Sequence, residues 1–471
     1  MSDDGTTSAA RVGRWLGPAL AVGVMLLPSG EGLSPGAHRL AAVTALMATW
    51  WMTEALPVAV VSLLPLVLFP LLGIAGATTV APAYGHDLVW LFFGGFQLAF
   101  AIERWGLHRR MALGLVRVMG TRADRLVLGF MVAIGFLSMW LSNTSTTLMM
   151  LPVALAVVSA IEGERAGPFG KALMLGLAYA ASVGGVATFL GTPPNVVFRG
   201  VAQQFAVDID FAQWMALAGP LVVVLIGAMW LYLTRVAFRV PREELGAELG
   251  EVGRWSTAEV RVAVIFALAA AAWVSRRWVV EALGLSGVSD TTIAIGVTVL
   301  LFVVPAGERA GALMDWATST RTPWHILLLF GGGFALAAGF EETGLSGWLG
   351  GWLARVVDGW PLPLVVLGVV LFVTFLTELT SNTATATVLL PVIGGLAQAM
   401  GVEVVLLMVP ATIAASCAFM LPVATPPNAI VYGAGRVSMG EMARVGLWIN
   451  LGSAVLITGW MLTWGRWLLS R

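Results

Sequence analysis

Apolar residues fill long blocks of this chain, and polar residues are confined to short gaps between them. Blocks near the roughly 20 residues that cross a bilayer as a helix fall at about 14–29, 38–55, 57–74 and 87–105. Two apolar arms follow, at about 126–141 and 145–161. Each is short for a crossing, so the pattern predicts a re-entrant hairpin with its tip at mid-membrane, two complete spans being the alternative. A helix at about 171–190 then breaks at consecutive prolines and partly resumes, and a span covers about 213–238. The most polar stretch, Arg239 to Thr257, separates this series from a second one. In the second series, spans fall at about 258–280, 290–305 and 324–343, and arms at about 363–380 and 384–400. A helix at about 403–423 again breaks at prolines, and a last span covers about 442–468. The passages LFFGGFQLAFAIERWGL and LLFGGGFALAAGFEETGL align, which sets Glu103 opposite Glu341. The chain therefore divides into an N-terminal segment with the first helix (1–37), a first repeat (38–238), a polar cytoplasmic linker (239–257) and a second repeat (258–471).

Composition agrees with the pattern. The chain is 58% hydrophobic and 11% charged, with mean hydropathy +0.89, where a soluble domain carries roughly 25% charged residues. An all-α integral membrane protein is expected, because the blocks do not alternate as barrel strands do. Zero net charge gives no footprint for nucleic acid, and a lone cysteine, Cys417, forms no intrachain disulfide. The opening MSDDGTTSAA lacks a basic signal-peptide start, and Arg11 and Arg14 ahead of the first block place the N-terminus in the cytoplasm.

Charge also sets orientation. The segment after the first Gly-Gly-Phe helix holds Arg104, Arg109, Arg110, Arg117, Arg122 and Arg125 against Asp124. The segment after the second holds Glu341, Glu342, Arg355 and Asp358. By the positive-inside bias these equivalent segments lie on opposite sides, so the repeats are inverted. Arg276-Arg277, in a loop expected outside, runs against that bias.

The candidate chemistry also occurs twice. Ser142-Asn143-Thr144 and Ser381-Asn382-Thr383 sit between the arms, with hydroxyls four residues upstream at Ser138 and Thr377. On one continuous helix such pairs would share a face. Further on come Gly191-Thr192-Pro193-Pro194-Asn195 and Ala424-Thr425-Pro426-Pro427-Asn428, where paired prolines must interrupt a helix. A helix ending at Ser-Asn-Thr presents carbonyls and hydroxyls, neutral hard donors suited to Na⁺. The next helix presents free N–H groups, suited to a carboxylate. Asn195 and Asn428 are placed to cap the helix beyond each break. Inverted repeats with interrupted helices at mid-membrane mark secondary transporters. A carboxylate inside the tripeptides would repel an anion, and none is there; the nearest acid, Glu378, reads as a hairpin brace before it reads as a coupling residue. As single motifs these polar residues would read as packing glue; matched twice, they read as a site. No catalytic constellation supports an enzyme, and no charged ring supports a channel.

These residues resemble the divalent-anion/sodium symporter family, in WWMTEALPV (Trp50 to Val58), both Gly-Gly-Phe helices, both Ser-Asn-Thr tips, GGVATFLGTPPN (Gly184 to Asn195) and LPVATPPNAIVYG (Leu421 to Gly433). The resemblance implies two inverted repeats of five transmembrane helices plus an extra N-terminal helix, with two re-entrant hairpins and two broken helices. It implies a homodimer in a bacterial inner membrane whose transport domain slides past a fixed scaffold as an elevator. It implies one sodium site at Ser138, Ser142, Asn143 and the Gly191 backbone, and another at Thr377, Thr380, Asn382 and the Ala424 backbone. Substrate carboxylates would meet Asn143, Thr144, Asn382 and Thr383. The expected activity is sodium-coupled import of C4-dicarboxylates with two or more sodium ions. Sodium-independent exchange, citrate and sulfate remain open.

Overall fold

The computed structural model describes residues 8–159, 166–244, 253–285, 287–307 and 311–469. Among these the fold is helical, with only two isolated backbone bridges. Six helices among the described residues are long and apolar enough to cross a membrane: Ala77–Arg104, Gly167–Ala187, Phe211–Ala237, Thr257–Leu283, Trp324–Thr343 and Met439–Leu469.

The first helix, Ser8–Leu26, runs along Pro35–Thr53. Two glycines allow this approach: a β-carbon on Gly13 would collide with Thr53, and one on Gly17 with Trp50. The turn at Glu54 closes the second helix in a left-handed conformation (φ 50°), its N–H returning to the Trp50 carbonyl. The block at 57–74 is not one helix. It divides into Val58–Val61 and Leu64–Leu71, because Pro65 has no N–H to return to the Val61 carbonyl.

Both pairs of arms are hairpins of short helices, Ala123–Ser138 with Asn143–Ser159 and Leu362–Thr377 with Asn382–Ala399. At about 1.5 Å per residue, arms of 16 to 18 residues span less than a bilayer core. The broken helices unwind earlier than the prolines suggest. The first stops at Gly184, passes a single 3₁₀ turn and an extended run, and restarts at Pro193. The second stops at Ala415 and restarts at Pro426. The prolines begin the second helix of each pair, where a missing N–H costs nothing. At Gly184 the chain touches the Gly135 backbone of the hairpin, where no β-carbon fits.

The two halves are interleaved. Pro193–Gln204, from the first half, packs on Asn382–Ala399 and Val405–Ala415 of the second. Pro426–Gly433 packs in turn on Asn143–Ser159 and Ala166–Gly184. Two amphipathic helices, Leu107–Met119 and Leu345–Val356, come directly after the Gly-Gly-Phe helices. Of the linker expected at 239–257, residues 245–252 lie outside the described residues. Its flanks dock on the basic segment: Ala123 N–H donates to the Glu243 carbonyl (3.0 Å), Arg110 donates to the Gly253 carbonyl (2.9 Å), and Arg110 also pairs with Glu259. The basic pair that runs against the charge bias lies within the helix Thr257–Leu283 rather than in a loop, and one of its members is paired. Arg276 pairs with Asp290 (2.7 Å), which also meets Arg199 (2.8 Å).

Candidate functional site

Each tripeptide begins a helix. The first arm of hairpin one ends at Ser138, and Ser142 precedes the second arm, accepting from Ser145 N–H through its hydroxyl (3.1 Å). Its carbonyl accepts from Thr146 N–H (3.0 Å), which makes Ser142 an N-cap. In hairpin two, the Ser381 carbonyl accepts from Thr385 N–H (2.9 Å). The expected i, i+4 stacking of Ser138 on Ser142 and of Thr377 on Ser381 is therefore replaced. The helix has ended by then, and each upstream hydroxyl meets the asparagine five residues on.

Those contacts are the same in both halves. Ser138 Oγ lies 2.5 Å from Asn143 Oδ1 and 2.6 Å from the Ala181 carbonyl. Thr377 Oγ1 lies 2.8 Å from Asn382 Oδ1 and 3.0 Å from the Ala415 carbonyl. A hydroxyl has one hydrogen for these two acceptors, so each cluster holds more lone pairs than protons. Other oxygens join the first cluster: a β-carbon on Gly185 would lie 2.8 Å from the Gly191 carbonyl oxygen and 2.9 Å from Asn143 Oδ1. One on Gly191 would lie 2.6 Å from the Ser138 carbonyl oxygen. Converging neutral oxygens at helix C-termini fit a small hard cation. Ala181 and Ala415 escaped the sequence reading because a carbonyl leaves no trace in residue type. Thr380 stands apart: its hydroxyl bonds the Leu376 carbonyl (2.9 Å) and Thr385 (2.5 Å). Ala424 lies in a turn with its N–H on the Leu421 carbonyl.

The unwound segments are tied from behind. Asn195 Nδ2 faces the carbonyls of Gly185 (3.3 Å), Val186 (3.1 Å) and Thr188 (2.7 Å). Asn428 Nδ2 donates to Ala418 and Leu421, both at 3.0 Å. These side chains reach back to gather released carbonyls rather than capping forward; Thr425 Oγ1 accepts from Asn428 N–H instead (3.3 Å). The two breaks touch each other, Thr192 Oγ1 lying 3.3 Å from Ser416 Oγ. Pro193, Pro194, Pro426 and Pro427 form the first turns of the two short helices.

The halves differ in how the tip is braced. After Ser138 comes Met139, whose carbonyl accepts from Thr188 Oγ1 (2.5 Å); that hydroxyl oxygen accepts from the N–H groups of Leu190 (3.2 Å) and Gly191 (3.1 Å). After Thr377 comes Glu378. Its buried carboxylate accepts from Phe419 N–H (2.6 Å), Met420 N–H (2.9 Å), Leu421 N–H (3.1 Å) and Asn450 Nδ2 (2.7 Å). Asn450 was missed, although a lone amide in the apolar block 442–468 is itself a signal.

Other donors at the tips are unspent. Asn143, Thr144 and Asn382 are half-buried, and Thr383 is 8% exposed. The Nδ2 donors of Asn143 and Asn382, and the hydroxyls of Thr144 and Thr383, make no hydrogen bond among the described residues. They sit on the first turns of Asn143–Ser159 and Asn382–Ala399, where backbone N–H groups are also free to meet an anion.

Comparison with known proteins agrees with this architecture. The chain is 43% identical to the sodium-dependent dicarboxylate transporter SdcS of Staphylococcus saprophyticus, covering 95% of this chain and 89% of that one. It is 44% identical to SdcS of Staphylococcus aureus over the same shares. Among solved structures, the YdaH transporter of Alcanivorax borkumensis superposes with a TM-score of 0.60 at 16% identity, covering 82% of this chain and 87% of that one. MtrF of Neisseria gonorrhoeae gives 0.59 at 13% identity, covering 97% of each; both likenesses concern the fold. The relatives are named transporters, not enzymes. Residues 11–471 match the family described as the sodium:sulfate symporter transmembrane region, and the chain belongs to that family of multi-pass membrane transporters.

Proposed function

We propose that this protein imports C4-dicarboxylates such as succinate, malate or fumarate, coupled to sodium. The observation that carries this reading is the repeated oxygen cluster, Ser138–Asn143–Ala181 and Thr377–Asn382–Ala415, beside helix starts with unspent donors. One sodium ion is held by Ser138, Asn143 and the Gly191 carbonyl, with Ser142 shaping the tip. A second is held by Thr377 and Asn382, with the backbone at Thr380 and Ala424. The asparagine amides, with Thr144 and Thr383, take the two carboxylates. Two sodium ions then cancel a dianion, so the loaded site is neutral as it crosses. That cancellation is the physical basis of coupling, since the desolvation of either charge alone is prohibitive.

Movement in this reading is an elevator. The hairpins and broken helices slide as one body past a scaffold built from the helices at 35–104 and 257–343, inverted repeats supplying the two alternate faces. The protein acts as a homodimer in a bacterial inner membrane with a cytoplasmic N-terminus. Names of relatives support sodium and dicarboxylate, and the family description directs attention to sulfate as a competitor.

The test is uptake of labelled succinate by proteoliposomes. Uptake is expected only with sodium outside, with competition by malate and fumarate. Equal uptake in choline, or stronger competition by sulfate or citrate, overturns the coupling or the substrate class respectively. Asn143→Ala and Asn382→Ala are each expected to abolish uptake in protein that still folds.

A further inference from the structure

A cleft of about 290 Å³ lies away from the tips, between the amphipathic helix Leu107–Met119 and the outer arm of the first hairpin, Asn143–Ser159. One wall is Arg109, Ala112 and Leu113, a single stripe at i, i+3 and i+4. Met149 and Val153, also four apart, face it with Pro152. Every wall residue but one is apolar, and the exception is a cation.

Arg109 is exposed and has no ion-pair partner among the described residues. Its neighbours in the same basic segment are paired: Arg104 with Asp315, Arg110 with Glu259, and Arg122 with Asp124. At the rim of the cleft Pro152 is exposed and Met149 and Val153 are half-buried, so apolar surface is open to the surroundings beside the arginine. A small dianion would find one cation and otherwise hydrocarbon here, and an inorganic phosphate likewise. An amphiphile with an anionic head and an alkyl chain matches both ends.

We propose that this cleft is a binding site for one anionic phospholipid. The headgroup phosphate pairs with Arg109, and an acyl chain lies along Met149, Pro152 and Val153. The leaflet is the one to which the positive-inside bias assigns this segment, where anionic headgroups gather at basic pockets between helices. Met149 is six residues from Asn143 on one helix, about 9 Å along its axis, so the lipid packs on the arm that carries the first tip.

The test uses the full-length protein in phosphatidylcholine vesicles containing a diazirine-bearing phosphatidylglycerol, with crosslinks mapped by peptide. No sodium or substrate is added, so the outcome is independent of the transport reading. Label is expected on the peptide spanning Met149 to Val153. Arg109→Gln is expected to reduce it about fivefold, the factor for one basic residue at the surface. Arg125→Gln, an exposed arginine of the same segment, is expected to leave it unchanged. Val153→Trp, which fills the cleft with the arginine intact, is expected to abolish it. Equal labelling by a phosphatidylcholine probe, equal loss in Arg125→Gln, or undiminished label in Val153→Trp overturns the site.

Discussion

Glu378→Gln isolates the brace at the second tip. The wild-type carboxylate accepts three bonds at Oε1, from Phe419, Met420 and Asn450, and one at Oε2, from Leu421. A glutamine oxygen can retain the first three, but its amide then points N–H at the Leu421 N–H, 3.1 Å from where Oε2 stood. One charge-assisted bond is lost and a donor–donor clash gained, while the other three bonds weaken. At about 1.5–3 kcal/mol per hydrogen bond to a charged group, the tip is destabilised by about 2–4 kcal/mol. That is roughly 30- to 900-fold in the fraction of molecules with the tip in place. Because Thr377 precedes this residue and contacts Asn382 directly, the loss is expected mainly in sodium affinity. The assay is the sodium dependence of succinate uptake, alongside thermal unfolding in detergent. Sodium KM is expected to rise at least tenfold, with a lower melting temperature. Asn450→Leu removes one donor of the four and is expected to cost less than Glu378→Ala, which strands them all. A Glu378→Gln protein with wild-type sodium KM and melting temperature would refute the bracing argument.

The same geometry sets other outcomes. Arg199→Ala leaves Asp290 with Arg276 as its remaining partner at 2.7 Å, and truncating one side of a buried pair costs about 3–5 kcal/mol; Asp290→Asn in the Arg199→Ala background is expected to recover part of that loss in a thermal double-mutant cycle. Gly184→Ala drives a β-carbon into the Gly135 backbone and is expected to lower both melting temperature and uptake, whereas Gly114→Ala, which meets nothing within 4 Å, is expected to lower neither. Asn195→Leu removes the amide that gathers three carbonyls and is expected to raise the sodium KM of the first site with little change in succinate KM at saturating sodium.

Legibility in the sequence depended on the kind of force involved. Most long helices were readable because burial in lipid demands apolar blocks, though the block at 57–74 is divided, and the two pairs of arms because each was short. The doubled site was readable because side chains recur at matched positions, Ser138 with Asn143 and Thr377 with Asn382. Where the backbone itself does the work, the reading fell short. The paired prolines of Thr192 to Asn195 and Thr425 to Asn428 advertised interruptions, yet the unwinding starts at Gly184 and Ala415, where each chain meets the hairpin of its own half, at Gly135 and at Thr377. The pairing of Ser138 with Asn143 instead of Ser142 depended on where a helix ended, which propensity locates only to within a few residues. The helix at Leu107–Met119 was visible only as a run of arginines, because its apolar face is too narrow to read as a span.

Interleaving of the halves has a consequence for biosynthesis. The short helix Pro193–Gln204 rests on arms that end at Ala399 and Ala415, and Pro426–Gly433 rests on arms made long before. A nascent chain that has delivered its first half to the bilayer therefore holds Pro193–Gln204 without its second-half partners, and the first hairpin without Pro426–Gly433, until residue 433 has been made. Insertion and assembly are separate events in time, and the membrane must shelter a half-built helix surface between them.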